Sequence, residues 1–476
     1  MTLHLHDTAT GKRSPFHPME EGHVRMYNCG PTVYNYVHIG NMRSFLLADL
    51  LRRTSEWLGF KVTQIMNLTD VGHMTEDDLD PSTKRPAGDR MEIGAKERGL
   101  DPWELSRLMT EAFFEDAQTV RLRRAHHYPK ATDHIPEMID LIERLLARGH
   151  AYEAPSGVYF DVASFESYGS LSGNTVEDLR AGARIDPHPD KKNPADFALW
   201  KKDENHIMQW DSPWGRGFPG WHAECSAMGM KYLGETFDIH TGGEDNIFPH
   251  HECEIAQSEG ATGKPFVRVW VHARHLLVNG KKMSKSLKNF YTVRDLLNRG
   301  YEGRVIRYAL LSGHYRQNLN FTLESLDAAQ SAIASIDGAW KALRFASDES
   351  SDPEWPSRIE RVLTDFESAL CDDLNISRAQ SALFSLVSDI HRHGISSTDA
   401  PQVQAALERL DEIFDCRPDQ EHELEPPALL KLIERRQQAR QDKDWALADE
   451  LREEALKLGY VLEDTADGKT IWTRNS

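Results

Sequence analysis

The sequence predicts an α/β protein: a parallel-sheet domain, then an all-α helical bundle, then a small C-terminal domain. Three observations carry this expectation. Residues from about 20 to 75 alternate β-rich, helical and β-rich runs, the rhythm of a βαβ unit whose sheet has covered faces. A second α/β block extends from about 95 to 275. After Phe290 the composition turns helical and stays so.

The elements follow in order. Val24–Val33 is a short β-rich run, Met42–Phe60 carries a helical pattern, and Lys61–Thr69 is strand-like. Residues 76–93 are charged and broken by proline, which predicts an exposed loop. Phe266–Ala273, rich in valine and aromatic residues, closes the second block as a strand. Ser347–Ser357 reads as a polar linker, a helical bundle follows to about Phe414, and Arg417–Pro427 is a second linker. The last segment predicts two helices joined near Lys443, with Asp444 as N-cap of the second and Gly459 as its stop.

Bulk properties bound the function. A length of 476 residues predicts two to four domains at roughly 100–200 residues each. The five cysteines do not make a disulfide framework, so Cys29 and Cys225 read better as metal ligands in a reducing compartment. The first residues lack an apolar signal core, and no run approaches the roughly 20 apolar residues that span a bilayer, so a cytoplasmic protein without a membrane partner is expected. The net charge of −19 argues, taken alone, against a nucleic-acid partner, but such contact needs only a local basic track. Arg121, Arg123 and Arg124, then Lys281 and Lys282, then Arg435, Arg436 and Arg440 form such clusters, although most clusters of this kind are solvated helix faces.

Four residues form the sharpest chemical pattern: Cys29, Cys225, His250 and Glu254. The last two stand at i and i+4, one helical turn apart, and so can grip one ion. Thiolate, imidazole and carboxylate together suit zinc. His240 and His251 lie near enough in sequence to be supporting groups, and Trp221 and His222 precede Cys225 and can line a pocket. A zinc that only ties the sheet together is the plainer alternative.

Two further runs suit a nucleoside triphosphate. In H-I-G-N, His38 and Gly40 lead into a helix pattern that begins after Asn41, and a helix N-terminus attracts phosphate. In K-M-S-K-S, Lys282 and Lys285 bracket small residues on a loop that can close over phosphates, with Lys285 the principal contact. G-G-E-D adds Gly242, where the backbone can approach a ligand closely, and Asp245, which can bind a ribose hydroxyl.

These runs, with Y-N-C-G-P-T-V-Y, G-W-H-A-E-C-S-A-M, D-I-H-T-G-G-E-D-N-I-F-P-H-H-E and Y-T-V-R-D-L, resemble the cysteinyl-tRNA synthetase family of class I aminoacyl-tRNA synthetases over essentially the whole chain. The resemblance implies a Rossmann-like catalytic domain with its metal site and a connective insertion over 1–290, and a stem-contacting helical region over 291–346. It implies a DALR-type bundle over 357–416, where D-D-L-N-I-S-R-A-Q matches, and an anticodon-binding domain over 425–476. One Zn2+ per subunit would be held by Cys29, Cys225, His250 and Glu254, with the substrate thiolate as an added ligand. ATP, with Mg2+, falls to Thr32, Gly40, Gly242, Asp245 and Lys285, with His38, Asn41, Lys282 and Lys285 serving the reaction. L-cysteine falls to Trp221, His222 and His240, and the anticodon of tRNA(Cys) to Arg440, Trp445, Asp449, Asp464 and Trp472, by base-edge hydrogen bonds and stacking. The expected activity joins cysteine to that tRNA through a cysteinyl-adenylate, in a monomer.

The chain departs from the family pattern at four places. Asn41 replaces a second histidine and leaves His38 without its usual partner; Cys253 stands where asparagine is common; Lys288 replaces a glycine; and the stretch from Val71 is longer and more charged. Two rivals are a ligase passing cysteine to an amino sugar and a non-catalytic, tRNA-binding paralogue. The first has no use for Arg440 to Trp472, and the second none for His38, Lys282, Lys285 and four intact ligands.

Overall fold

The computed structural model describes residues 1–72, 89–174, 189–203, 206–283, 289–346, 350–418, 427–464 and 470–474, and the chain divides into two units. The first comprises Met1–Ile333, Val362–Leu383 and Glu412–Asp415; the second comprises Ala334–Arg361, Phe384–Asp411 and Cys416–Ser476.

The first unit is built on a four-stranded parallel sheet. The predicted βαβ run forms strand His23–Asn28, helix Ile39–Trp57 and strand Lys61–Met66. On its other side His23–Asn28 pairs with Phe237–Gly243, which pairs in turn with Val267–Ala273. Val24, Met26, Tyr27, Phe237 and Ile239 are fully buried, as expected for a sheet covered on both faces. Strand order reverses between His23–Asn28 and Phe237–Gly243, and open parallel sheets bind ligands beyond the carboxyl ends at such a reversal.

The insertion between Met66 and Phe237 contributes helices Arg90–Arg98, Pro102–Thr119, Ile135–Ala147 and Trp221–Leu233. It also holds an antiparallel sheet of Ala151–Ala154, Gly157–Phe160, Phe197–Lys201 and Phe218–Pro219. Met138, Leu141, Phe160 and Trp200 of the insertion share one core with Tyr27, Ile65 and Phe237 of the parallel sheet.

Three expectations need correction. The charged stretch 76–93 is not loop to its end: the Asp89 carboxylate accepts from the Met91 and Glu92 amides and starts the helix Arg90–Arg98, while 73–88 lies outside the described residues. The region after Phe290 is not purely helical. Leu319–Phe321 joins a three-stranded sheet with Leu276–Val278 and Lys281–Lys282, and Tyr460–Asp464 pairs with Thr470–Arg474. Strands this short leave no usable period in the sequence. The first polar linker ends early, because helix Trp355–Cys371 begins inside it.

The second unit includes helices Pro427–Gln441 and Trp445–Lys457, joined as predicted at Lys443, which takes a positive φ of 59°. The Asp444 carboxylate accepts from the Leu447 amide at 3.1 Å, and Gly459 follows the second helix at φ 87°. Leu429, Leu432, Leu451, Tyr460, Leu462 and Trp472 form a small core between these helices and the hairpin.

A buried charge network closes the first unit. Asp49 Oδ2 accepts from Arg307 Nη2 and from Arg53 Nε, each at 2.7 Å, with Asp49 and Arg307 fully buried. Arg307 also donates to the carbonyls of Phe414 (2.6 Å), Arg121 and Ile413 (3.1 Å each), and Arg53 to Asp415 Oδ2 (2.8 Å). Burial alone pushes the Asp49 carboxyl up, but the two guanidiniums outweigh it and hold it below the usual range. Breaking a buried pair from one side strands the other charge, so Asp49→Asn is expected to lower unfolding free energy by about 3–5 kcal/mol in a denaturant titration at pH 7. A depressed carboxyl pKa stabilises the fold above the unfolded value of about 4 and loses that contribution as pH falls further, so the difference between wild type and variant should shrink only below about pH 4.

Candidate metal and nucleotide site

The reversal point of the sheet gathers the predicted residues. Cys29 follows strand His23–Asn28 directly, and its amide donates to the Thr241 carbonyl at 3.2 Å on the neighbouring strand. Cys225 lies on helix Trp221–Leu233. His250 and Glu254 come together although the regular helix starts only at Glu252; Ile247–His251 make a wider turn with extended backbone at Phe248 (φ −135°, ψ 132°).

The donor atoms of Cys29, Cys225, His250 and Glu254 all lie within 4.8 Å of one another. Cys29 Sγ is 3.9 Å from both Cys225 Sγ and Glu254 Oε1, and His250 Nε2 is 3.0 Å from Glu254 Oε1. Two thiolates bound at about 2.3 Å on a tetrahedral zinc stand about 3.8 Å apart, so the sulphur spacing fits that ion. A second set shares Cys29 and Glu254 but uses His240 and His251. The carboxylate oxygens face different partners: Oε1 lies 3.0 Å from His250, 3.8 Å from His251 and 3.9 Å from Cys29, while Oε2 lies 2.9 Å from His240 Nε2. His240 thus holds the outer oxygen of Glu254, and the two-thiol set is also the softer one.

Surrounding imidazoles brace the donors. His250 Nδ1 is 2.9 Å from His222 Nδ1, and the Trp221 ring stacks on His250 at 4.5 Å. His251 Nε2 lies 3.2 Å from Cys29 Sγ, while its Nδ1 meets His272 Nε2 at 2.7 Å; His272 continues to Thr8 at 2.8 Å. Burial pushes the Glu254 carboxyl and the Cys225 thiol well above their ordinary values, and pushes His251 well below and His272 down to about 3. A divalent cation reverses that preference at thiol and carboxyl, because its charge favours the anionic forms.

In the H-I-G-N run, His38 is the N-cap of helix Ile39–Trp57, so that helix begins three residues before the predicted start. His38 Nδ1 accepts from the Asn41 amide at 3.1 Å. Burial pushes the His38 imidazole down to about 4, so at neutral pH the ring is uncharged with its proton on Nε2. Asn41 therefore serves His38 through its backbone, which any residue supplies, and the missing second histidine leaves the ring held. The first turn of this helix has no acidic residue to offset its positive end.

The glycines are close-packed against protein groups. A Cβ on Gly40 would lie 2.7 Å from Met283 Cε, and one on Gly242 would lie 2.7 Å from His251 Cε1. Lys282 Nζ reaches Asp245 Oδ1 at 3.1 Å, joining the lysine run to G-G-E-D. Thr32 stands beside Thr69 in a parallel bridge. Lys285 and Lys288 lie outside the described residues.

The sequence reading missed a bracket behind the two thiols. The Gly30 amide donates to Asn67 Oδ1 (2.8 Å), Asn67 Nδ2 to Thr69 Oγ1 (3.1 Å), and Thr69 Oγ1 to Glu224 Oε2 (2.6 Å). Gly30 adjoins Cys29 and Glu224 adjoins Cys225, so this chain links the neighbours of both sulphurs. Only the asparagine just past strand Lys61–Met66 hinted at it. Cys253 is buried, with its sulphur 3.5 Å from the Tyr168 hydroxyl.

In the C-terminal module the five predicted residues divide. Asp464 is bound by Arg436 at 2.6 and 2.8 Å and also by Arg440, and hydrogen bonds from Arg436 hold its carboxyl well below the usual range. Trp472 is 3% exposed, its ring in the core with the Arg344 guanidinium 4.3 Å above it. Trp445, 60% exposed, and Asp449 face outward. The basic clusters are also partly engaged: Arg123 pairs with Glu56, Arg121 with the Asp415 carbonyl and Arg436 with Asp464.

Comparisons with known proteins agree along the chain. Residues 15–331 match the family described as tRNA synthetases class I (C) catalytic domain, 365–416 the DALR domain, and 423–472 the cysteinyl-tRNA ligase anticodon binding domain. A cysteine--tRNA ligase of Salinibacter ruber is 43% identical over 517 residues, covering 99% of this chain and 98% of that one. That of Protochlamydia amoebophila is 43% identical over 481 residues, covering 98% and 97%. Among solved structures, Mycobacterium tuberculosis methionyl-tRNA synthetase bound by methionyl-adenylate superposes with a TM-score of 0.56 at 13% identity, over 83% of this chain and 90% of that one. The Agrobacterium radiobacter K84 LeuRS in a ternary complex gives 0.55 at 10%, over 84% and 85%. At such identities these two speak for the fold alone.

A Cβ on Gly30 would lie 1.8 Å from the Asn67 carbonyl oxygen. Gly30→Ala is therefore expected to shift the Cys29 segment, lowering stability by about 1–3 kcal/mol in thermal unfolding and weakening retention of metal during dialysis against a chelator.

Proposed function

The chain belongs to the cysteine--tRNA ligase family of class I synthetases, and from that premise we propose how its residues divide the work. L-cysteine is activated by ATP, accompanied by Mg2+, to cysteinyl-adenylate and pyrophosphate, and the aminoacyl group then passes to the 3′ end of tRNA(Cys). The observation that carries this reading is the convergence of two thiols, an imidazole and a carboxylate beside the helix N-terminus capped by His38.

Cys29, Cys225, His250 and Glu254 would hold one Zn2+ per subunit, with His240, His222 and the Trp221 ring keeping Glu254 and His250 in place. When bound, zinc supplies a Lewis acid that prefers a thiolate to a hydroxyl, which separates cysteine from serine more sharply than a cavity can. Trp221 and His222, both partly exposed beside His250, are the side chains that face an incoming amino acid.

His38 presents Nε2–H where charge grows on the α-phosphate, helped by the positive end of the helix that it caps. Lys282 and Lys285 take the outer phosphates, while Thr32, Gly40, Gly242 and Asp245 bound the nucleoside and phosphate path. The first step needs no general base, since the substrate carboxylate is already a nucleophile; positioning and charge stabilisation carry it. In the C-terminal module, Arg440, Trp445, Asp449, Asp464 and Trp472 are assigned to the anticodon. Trp445 offers an exposed face for stacking, whereas Trp472 and the Arg436–Asp464 pair shape the surface around it. No described helix is long and apolar enough to cross a membrane, and a cytoplasmic monomer is the proposed state.

Incubating the protein with ATP, labelled cysteine and total tRNA should yield acid-precipitable label that ribonuclease removes. Adenylate formation without transfer would point to another acceptor, and silence in both steps would overturn the reading. Elemental analysis should find one zinc per chain. Cys225→Ser and His250→Gln should lose that zinc while His251→Gln keeps it; the opposite result would assign the ion to the second set.

A further inference from the structure

Arg43 lies two residues beyond Asn41 on helix Ile39–Trp57 and is 4% exposed. Its guanidinium donates to four backbone carbonyls on two separate segments. Nη1 reaches Arg274 O at 2.5 Å and His275 O at 3.1 Å; Nη2 reaches His314 O at 3.2 Å and Gln317 O at 2.8 Å. Burial pushes its pKa down to about 10, so it is charged at neutral pH.

Both segments are bases of the sheet that carries the lysine run. Arg274 and His275 lead directly into Leu276–Val278 and on to Lys281–Lys282, and His314–Gln317 leads into Leu319–Phe321, which pairs with Leu276–Val278. Glu244, the acid of G-G-E-D that precedes Asp245, grips the same turn from the opposite side. Its Oε1 accepts from the His275 amide at 2.7 Å and its Oε2 from Arg274 Nη1 at 2.7 Å. The turn at Arg274–His275 is thus held through its carbonyls by Arg43 and through its donors by Glu244.

The other end of the hairpin touches the His38 turn. Met283 packs against Gly40, Lys282 pairs with Asp245, and the Ile39 amide donates to the Tyr291 carbonyl at 3.0 Å. The Phe290 ring meets the His38 ring edge-on at 5.2 Å. Helix, acidic turn and lysine hairpin therefore form one closed frame, and the guanidinium of Arg43 is its fixed corner.

From this frame we infer that Arg43 and Glu244 are a positioning pair for the activation step: they set where the lysine run stands relative to His38 and so how both meet the triphosphate. The inference rests on the proposed roles of His38, Lys282 and Lys285. Four carbonyls fix a planar fork in both rotation and tilt, which a single point charge such as lysine does not do. Neither residue is assigned a contact with cysteine, zinc or tRNA, so its loss should register in the parameters of ATP alone.

The test compares Arg43→Lys, Arg43→Met and Glu244→Gln with wild type in cysteine-dependent ATP–pyrophosphate exchange, alongside zinc content and thermal midpoint. For Arg43→Met, kcat/KM for ATP should fall about 10–100-fold while the KM for cysteine stays within about twofold and zinc stays stoichiometric. Arg43→Lys should recover part of the loss. Glu244→Gln, which keeps an acceptor for the His275 amide, should show the same ATP-selective pattern at smaller amplitude, and it decides the matter if Arg43→Met does not fold. Unchanged ATP parameters would overturn the inference, as would ATP, cysteine and zinc parameters declining together, which marks a purely structural role. A wild type with no exchange would instead overturn the proposed function.

Discussion

The parallel pairing of Tyr27 with His240 and of Asn28 with Thr241 is the constraint on which the site depends. It sets two strands that are more than 200 residues apart in sequence side by side with the same polarity, so both leave the sheet at one edge. Cys29 and the pair Gly242–Gly243 are the first residues past or at that edge. Everything assigned to chemistry hangs from this register. A slip of one residue would turn His240 away from Glu254 and carry Thr241 off the Cys29 amide.

Around that edge the protein accepts an unfavourable arrangement. Two thiols, a carboxyl and several imidazoles are packed together, and burial drives the Cys225 thiol and the Glu254 carboxyl toward their neutral forms. A multiply charged ion held there would reverse that preference, and would couple occupancy of the site to the integrity of the surrounding core. Tyr27 and Phe237 belong both to that core and to the wall behind the donors. The Asn67–Thr69–Glu224 bracket supplies rigidity from outside the donor set, so the protein's own hydrogen bonds hold the sulphur spacing.

Much of this was legible from residue types and spacing. The four donors, H-I-G-N, the lysine run and the alternation of strand and helix all carry local signals: rare residue types, glycine beside a helix start, β-branched runs. The two terminal helices and their Asp444 cap were equally readable, because capping is a short-range effect. What the sequence concealed depends on long-range partners. Arg43 and Glu244 look like ordinary surface charges until the carbonyls of 274–275 and 314–317 are brought to them. Thr69 and Glu224 are likewise meaningless singly. Short strands such as Leu319–Phe321 carry too few positions for a period, and their pairing comes from the sheet they join. Trp472 is the reverse case: its residue type suggested stacking on a base, and only the fold shows its ring packed in the small core.

The buried Asp49 network bears on how the chain is made. Arg307 and Arg53 are satisfied by carbonyls and a carboxylate at Glu412–Asp415, which belong to the same unit as the sheet although they come a hundred residues later than Arg307. As the polypeptide leaves the ribosome, the segment that ends near residue 331 carries two guanidiniums that already have Asp49 and the Arg121 carbonyl but still lack their partners at Glu412–Asp415. The catalytic half is therefore not an independent folding stage in vector order: its last polar acceptors arrive only with the end of helix Ala400–Phe414, and a nascent or truncated chain stopping short of it would expose charge and apolar surface to chaperones and proteases.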